Sequence, residues 1–292
     1  MTKISYRFNV LRDGANKGEI YASNTPSISC DADAEVKISL TGKFEYDETI
    51  DWLHDRIAIE QIKDGVSHPL YEFVVITADK EHDKSGKNLW PIKAYDEGII
   101  VKKKNIEERL YFEAGRKYTD IIQELLTIRL GITRVIIEDS NETLRTDRED
   151  WDPGTSYITI INSLLSEINY NSLWFDFNGF ARINNYRPPH ESNINHYYIA
   201  GENSIIQEQI SLSNDTYNKY NIFTAVVSSP DNNDVLIATS ENNNPSSKIS
   251  TVNIGRYPAP IEKLDNISSQ EELQKYVDNC YITCTRIPIL SI

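Results

Sequence analysis

The pattern G-x-x-Y-x-x-I-I-x-x-L-L occurs twice in this chain of 292 residues, first as Gly115-Arg-Lys-Tyr118-Thr-Asp-Ile121-Ile122-Gln-Glu-Leu125-Leu126 and then as Gly154-Thr-Ser-Tyr157-Ile-Thr-Ile160-Ile161-Asn-Ser-Leu164-Leu165. Counted from the tyrosine, the kept residues recur at i, i+3, i+4, i+7 and i+8, the spacing of one apolar stripe on a helix. We predict two matching helices whose buried stripes form a structural repeat core: Tyr118, Ile121, Ile122, Leu125, Leu126, Tyr157, Ile160, Ile161, Leu164 and Leu165. The repeat duplicates packing residues without duplicating chemistry, which favours a scaffold over a catalyst.

Each predicted helix is followed by a predicted strand, at residues 134–137 after the first copy and 173–176 after the second. The dipeptide Asn178-Gly179 is flanked by phenylalanines and predicts a two-residue hairpin turn. The returning strand is then expected at residues 180–183. These elements indicate a pair of helix–strand units.

The two predicted helices differ at their N-termini. In the second copy, Thr155 or Ser156 can accept a hydrogen bond from the first helical turn. The matching positions of the first copy hold Arg116 and Lys117, whose side chains cannot cap a helix in this way. We therefore expect the first helix to have the weaker start.

Residues 1–112 are predicted to form a first β-barrel-like module. Apolar and polar residues alternate in short runs such as Val36-Lys-Ile38-Ser-Leu40, which is typical of half-buried strands. Turn dipeptides, among them Asp13-Gly14 and Asp64-Gly65, separate the runs. The predicted strands cover residues 5–10, 19–21, 27–30, 35–40, 56–62, 71–76, 90–95 and 99–102.

Residues 188–292 are predicted to form a second β module, completed by a helix that begins at Ser268 or Ser269. That helix would carry Leu273, Tyr276 and Val277 on one face. Residues 242–245 are expected to form an exposed loop and residues 280–292 a strand-like tail. The predicted strands cover residues 196–199, 205–210, 221–227, 234–239 and 249–253. The predicted fold is therefore α+β and mainly β: two small β-barrel-like modules with the pair of helix–strand units inserted at residues 113–187.

Net charge, the lack of long apolar runs and the cysteine count each disfavour certain classes of function or location. The formal charge is −14, so a main role in binding nucleic acid through phosphates is not expected. The chain has no apolar signal core near its start and no run of about 18 apolar residues, so no membrane partner is expected. Three cysteines, Cys30, Cys280 and Cys284, argue against a disulfide framework. We expect a soluble protein made in a cytoplasm.

The sequence contains none of three common motifs of catalysis and cofactor binding: the zinc-protease helix motif, the serine elbow and the phosphate-binding glycine loop. His190 and His196 are close in sequence, but solvated roles are favoured over a metal site. Carboxylates crowd residues 139–152 without the spacing of a calcium loop. The four tryptophans, Trp52, Trp90, Trp151 and Trp174, are expected to pack in or on strands rather than to line a sugar groove. We predict no catalytic residue, no metal and no cofactor.

Several phrases, taken in order, resemble the baseplate hub proteins of phage tails and related contractile particles, of the late control protein D type. The resemblance covers residues 50–278 and includes the first repeat copy. The other phrases are Asp51-Trp-Leu53 with Arg56-Ile57, Pro69-Leu-Tyr-Glu-Phe-Val-Val-Ile76, Lys93-Ala-Tyr-Asp96, Trp151-Asp-Pro-Gly-Thr-Ser-Tyr157, Ile160-Ile-Asn-Ser-Leu-Leu165, Ile168-Asn-Tyr-Asn-Ser-Leu-Trp-Phe-Asp-Phe-Asn-Gly179 and Glu241-Asn-Asn-Asn-Pro245.

The resemblance implies a structural homotrimer at the tip of a tail tube, in a virion or a phage-tail-like particle assembled in the host bacterial cytoplasm. Its expected partners are further copies of itself, the tail tube protein, the spike protein and other baseplate proteins. It also implies that strands after about residue 190 complete the first barrel. Family members commonly continue with more strands past the helix at residues 268–278, so this chain is either a shorter variant or the product of a split gene.

Two alternative functions stay open on the sequence alone. The first is a tail-associated hydrolase of the cell wall. The second is a carbohydrate-binding attachment module, suggested by the tryptophan content and the 17 tyrosines.

Overall fold

The computed structural model describes residues 4–45, 51, 53–82, 86–187, 211–212, 219–227, 235–264, 266–285 and 290–291. Two compact units divide the chain: residues 1–166 with 170–184, and residues 167–169 with 185–292. The predicted strands at residues 196–199 and 205–210 lie outside the described residues. The described part is mainly β with a few helices, so the predicted α+β class is confirmed.

A closed barrel of six antiparallel strands dominates the first unit. The strands of this unit's main sheet are β1 Ile4–Arg12, β2 Ala15–Ala22, β3 Ser27–Cys30, β4 Ile38–Glu45, β5 Arg56–Lys63, β6 Val66–Ala78, β7 Glu81–His82 and β8 Asn88–Tyr95. The barrel strands run in the order β4-β2-β1-β5-β6-β8, and β4 pairs with β8 to complete the ring. Two short strands, β3 and β7, pair with β4 and β8 outside the six.

Apolar side chains at alternate strand positions fill the barrel, since every second side chain of a strand points to the same face. Phe8 on β1 and Phe44 on β4 pack edge to face, with ring centroids 5.2 Å apart. Around them lie further buried residues: Val10, Ile20, Ile38, Leu40, Ile57, Ile59, Phe73, Ile92 and Ala94. The barrel therefore encloses a packed apolar core.

Two tight turns set the register of the barrel hairpins. Asp13 and Gly14 have φ values of 52° and 75°, and Asp64 and Gly65 have values of 50° and 86°. Positive φ at both central residues is the geometry of a type I′ turn, whose twist matches that of paired strands. Both dipeptides thus form the turns that the sequence predicts, between β1 and β2 and between β5 and β6.

The predicted strand at residues 99–102 is wrong, because these residues form helix α1, Gly98–Lys103. A run of Ile-Ile-Val favours a strand by propensity, but propensity is a weak preference that hydrogen bonds to a preceding side chain can outweigh. Here the backbone N–H of Gly98 donates to the Asp96 side chain, and the N–H of Ile99 donates to the Asp96 carbonyl. These bonds start a helical turn where the barrel ends.

The repeat forms two helices, as predicted. Helix α2 spans Tyr118–Glu124 and continues as a π-helical turn, Leu125–Arg129, whereas α3 spans Tyr157–Ser166 as a regular helix. Nine of the ten stripe residues are buried. Tyr157 is only half-buried, contrary to the prediction, because it is the first residue of α3 and lines an open cleft with Lys104 and Arg129.

The helix starts differ in the predicted way. Ser156 accepts a hydrogen bond from the backbone N–H of Thr159 through its Oγ, at 3.3 Å, and so caps α3. The corresponding residue before α2 is Lys117, which makes no side-chain capping bond.

Three short strands, one after α2 and two after α3, form one sheet: β9 Val135–Ile137, β10 Trp174–Phe175 and β11 Ala181–Ile183. Strand β11 lies between β10, which is antiparallel to it, and β9, which is parallel to it. The expected two-residue turn at Asn178-Gly179 is wrong. Asp176 and Phe180 hydrogen-bond to each other, so the loop has three residues, with Gly179 at φ 73°.

The second unit contains a small sheet covered by a long helix. Strands β13 Ile222–Val227, β14 Leu236–Glu241 and β15 Glu262–Leu264 form the sheet, and β12 Ser211–Leu212 pairs with β16 Leu290–Ser291. Helix α5, Gln270–Thr285, places Leu273 and Val277 in a core with Phe223, Ala225 and Ala238. Its start is confirmed at Ser269, whose Oγ accepts from the N–H of Glu272.

Three expectations for the second unit need correction. Residues 249–253 do not form a strand, because residues Thr251–Ile254 form the short helix α4. The strand-like tail is wrong for residues 280–285, which continue α5. The exposed loop at residues 242–245 is confirmed for residues 243–245, whereas Asn242 is buried and bonds to Ser247 and Asn244 through its side chain.

Completion of the barrel by later strands stays a prediction, because residues 188–210 lie outside the described part of the chain.

Replacement of Ser156 by alanine should lower the free energy of unfolding by about 1 kcal/mol, because α3 loses its N-terminal cap. Urea unfolding followed by circular dichroism measures the loss. Ser156→Asp keeps an acceptor at this position and should stay close to wild type. Equal losses in both variants would contradict the capping role.

Candidate functional site

Several polar residues that each make two or more hydrogen bonds or ion pairs lie at the junction between the barrel and the helix–strand segment. Asp96 follows β8 directly and is only 3% exposed. Its Oδ2 accepts from the N–H of Ile38 at 2.9 Å, and its Oδ1 accepts from the N–H of Gly98 at 2.8 Å. Its own N–H donates to the carbonyl of Ile38 at 3.0 Å. One residue thus joins the closing strand pair of the barrel to helix α1.

Burial controls the charge of this carboxyl group. Desolvation raises the pKa of Asp96 to about 6, against the opposing effect of the N–H donors of Gly98, Ile38 and Lys37. Gly98 is required beside it, because a Cβ atom there would lie 2.7 Å from Asp96 Oδ1. Asp96 is therefore a buried carboxyl group with a structural role.

Arg134 ties the helix–strand segment to the barrel. It lies just before β9, and its Nη2 is 3.1 Å from Glu72 Oε2 on β6 and 3.6 Å from Glu97 Oε1. Its Nη1 donates to the carbonyl of Asn178 at 2.9 Å. Burial raises the pKa of Glu97, and the guanidinium opposes that shift. Arg134 therefore compensates two carboxylates and fixes the β10–β11 turn.

The same turn is shaped by Asp176. Its carboxylate accepts from the backbone N–H groups of Asn178 and Phe180 and from Arg182. Although burial favours the neutral acid, these donors together lower its pKa. Gly179 fits closely beneath Arg134, because a Cβ atom there would lie 2.8 Å from Nη2.

Carboxylates of the acidic stretch at residues 139–152 accept hydrogen bonds from nearby protein groups. Asp147 accepts from the Tyr111 hydroxyl and the Ala114 N–H, and Asp139 accepts from Lys117 and Thr119. Within the described residues, no group of three or more histidine, cysteine or acidic side chains could hold a metal ion. His190 and His196 lie outside those residues.

The tryptophans occupy different environments. Trp151 is buried and packs edge to face against Phe112, and Trp90 is partly buried against the barrel core. Trp174 is half-buried on β10, where its Nε1 donates to Asn184 Oδ1 at 2.9 Å. Trp52 lies outside the described residues.

Sequence reasoning did not single out the junction acids or Arg134. One signal for Asp96 exists, since an aspartate two residues before Gly98 and an Ile-Ile-Val run fits a helix start. No local signal marks Arg134, because its acceptors Glu72 and Glu97 are far from it in sequence.

Comparison with known proteins gives matches in structure alone. Neither a protein-family model nor a curated protein matches the sequence. A tail protein from Neisseria meningitidis MC58 superposes with a TM-score of 0.60 and 13% identity, over 93% of this chain and 74% of that one. The 43 kDa tail protein of prophage MuSo2 from Shewanella oneidensis gives 0.59 and 15%, over 93% and 79%. The chain therefore shares the fold of these phage tail proteins.

No helix in the described part of the chain is both long enough and apolar enough to cross a lipid bilayer.

Loss of Arg134 should destabilise the fold. Arg134→Leu removes the cation that bonds Glu72 and leaves the charge of Arg56 to oppose the repulsion of Glu97 by Glu72. We expect a loss of about 2 kcal/mol in urea unfolding, below the cost at a fully buried pair because the groups are partly exposed. Adding Glu97→Gln should recover part of the loss. Arg145→Leu, at an exposed arginine, is the control. Equal effects of Arg134→Leu and Arg145→Leu would contradict the assigned role.

Asp96 should give the protein a characteristic dependence on pH. Its pKa in the folded state, about 6, is above the ordinary value of 3.8, so its contribution to stability is fully present below pH 3.8. That contribution is lost as pH rises through 6 and amounts to about 3 kcal/mol. The free energy of unfolding, compared between wild type and Asp96→Asn at several pH values, measures it.

As pH rises from 4 to 7, the free energy of unfolding of the wild type should fall relative to that of Asp96→Asn. Glu108→Gln removes an exposed carboxyl group and should show no such trend. A pH-independent difference for Asp96→Asn would show that its folded pKa is not raised.

Proposed function

We propose that this chain is a structural component of a phage tail or phage-tail-like particle, and that it acts there as the baseplate hub. The observation that carries the proposal is the shared fold, which extends over 93% of the chain in each of the two tail proteins. The ordered phrases that resemble the late control protein D type support the finer assignment. The proposed hub is a homotrimeric ring that joins the tail tube to the central spike.

The junction supports a structural rather than an enzymatic role. Both carboxylate oxygens of Asp96 accept hydrogen bonds from backbone N–H groups. The guanidinium group of Arg134 contacts Glu72 and Glu97 and donates to the carbonyl of Asn178. Groups bonded in this way stabilise a fixed geometry and are not presented to a substrate. A rigid connection between barrel and insertion suits a part that transmits force along a tail.

The described surface also suits assembly. In the second unit, Val252, Ile254, Tyr257 and Ile261 are all exposed within ten residues of chain. The segment is held in place by Asn221, whose carboxamide donates to the carbonyls of Ile249 and Gly255 and accepts from the Tyr257 N–H. Apolar side chains displayed on a fixed segment are typical of a protein–protein contact surface.

The proposed partners follow from this position in the particle. They are two further copies of the chain, the tail tube protein, the spike protein and other baseplate proteins. The proposed location is the tail tip, after assembly in the host bacterial cytoplasm. Membership of a contractile system is part of the proposal and rests on the resemblance.

Sedimentation velocity tests the oligomeric state. We expect a species of about three times the 33.5 kDa chain mass, either alone or after addition of the tube or spike protein. Tyr257→Glu should shift the species toward monomer if the exposed segment contributes to the ring. Ile128→Glu, at an exposed position outside that segment, serves as its control.

Electron microscopy of the parent particle tests the location. An antibody or gold label directed at this chain should mark one end of the tail tube. A chain that stays monomeric with both candidate partners, or a label found along the tube, would overturn the hub assignment.

A further inference from the structure

A cleft of about 380 Å³ opens within the first unit, between the barrel and the helix–strand segment. One wall comes from the connection between β3 and β4 and from Tyr71 on β6. The opposite wall comes from Asn171, Ser172 and Trp174. The volume lies at the lower end of the range of small-ligand sites. Neither the proposed hub role nor the stability of the junction requires such a cleft.

Two aromatic side chains of the cleft are held in position without a ligand. The indole of Trp174 is fixed by its hydrogen bond to Asn184 Oδ1. The ring of Tyr71 packs edge to face against the buried Phe73, with centroids 5.9 Å apart. Side chains that are already ordered lose little further entropy on binding, which favours association.

The charges of the cleft disfavour an ionic ligand. The Lys37 ammonium group donates to the carbonyls of Ala32 and Ala34, at 2.6 and 2.8 Å. Asp31 lies in the same wall and would repel an anion. With one cation already bonded to backbone oxygens and one carboxylate beside it, the cleft offers no surplus of either sign.

The remaining groups select a molecule with both apolar and hydroxyl surfaces. The Asn171 carboxamide already donates to the carbonyl of Asn184, and Asp31 Oδ1 accepts from the N–H of Asp33. A purely apolar ligand would still remove the Ser172 hydroxyl and the charged Asp31 carboxylate from water without offering a hydrogen bond in return, which is costly. A small polar ion would leave the aromatic rings of Tyr71 and Trp174 unused. A pyranose ring meets both requirements, because its C–H face packs on an aromatic ring while its hydroxyls bond at the edge.

We propose that this cleft binds a neutral pyranose saccharide of one or two rings, with Trp174 and Tyr71 as packing surfaces and Ser172 and Asp31 as hydroxyl partners. The site is independent of the ring-forming role and would give the protein a contact with glycan. The sequence alone favoured a packing role for Trp174. Its place on the wall of an open cleft is what changes that interpretation.

Ligand-observed NMR with the full chain tests the proposal. The probes are methyl α-D-glucopyranoside, N-acetylglucosamine and N,N′-diacetylchitobiose, with glucuronate as the charged comparison. We expect saturable binding of at least one neutral probe with a dissociation constant on the order of 1 mM. Glucuronate should bind more weakly than the matched neutral glucoside.

Variants locate the binding. Trp174→Ala and Tyr71→Ala should each weaken it by about tenfold or more, because each removes one packing surface. Trp174→Phe keeps a ring if the alanine variant fails to fold, and should weaken binding by a smaller factor. Trp151→Phe and Tyr111→Ala alter aromatic residues outside the cleft and should bind like wild type.

Three results would overturn the proposal. They are no saturable binding of any neutral probe at about 50 mM to folded protein, unchanged binding by both Trp174 variants, and tighter binding of glucuronate than of the neutral glucoside. Sedimentation of the same samples reports the oligomeric state separately, so failure of the saccharide site leaves the hub assignment intact.

Discussion

The structure of the first unit depends on the hydrogen bonds of one buried carboxyl group. A barrel closes only when its first and last strands meet, and here the seam is the pairing of β4 with β8. Asp96 lies at the end of that seam and bonds to Ile38 on β4 through both backbone and side chain. The same side chain starts α1 by accepting from Gly98. The carboxyl group therefore links the end of the closing strand pair to the start of α1, and its burial is tolerated because several N–H donors surround it.

The repeated helices show how similar sequences acquire different local structure. Nine of the ten stripe residues are buried because both copies keep the apolar residues at helical spacing, and Tyr157 at the start of α3 is the exception. The surroundings differ, since α3 has a serine cap and stays regular, whereas α2 lacks a cap and widens into a π-helical turn at Leu125–Arg129. Duplication thus preserved the packing face, while the ends of each helix follow their own local chemistry.

Much of this architecture could be predicted from local sequence. Alternating runs and the two Asp-Gly turns located most strands of the barrel, because both features act over a few residues. The errors arose where distant contacts decide the outcome. Two errors are an exception, because they concern neighbouring residues: residues 99–102 have strand propensity but become helical after Asp96, and Cys280 lies within α5 rather than in a tail. The partners of Arg134 are 62 residues away at Glu72 and 37 away at Glu97, so pattern alone could not reveal the junction. The cleft beside Trp174 is likewise built from segments far apart in the chain.

The continuity of the barrel has a consequence for synthesis on the ribosome. All six strands come from Ile4–Tyr95, and four of them form the hairpins β1–β2 and β5–β6 between near neighbours. Nascent chains grow at roughly 5–20 residues per second, and their N-terminal domains fold first. The barrel can thus close while the repeated helices are still being translated. A folded barrel would then be present as a template when the helix–strand segment emerges, and the strand edges that lead to aggregation would already be paired.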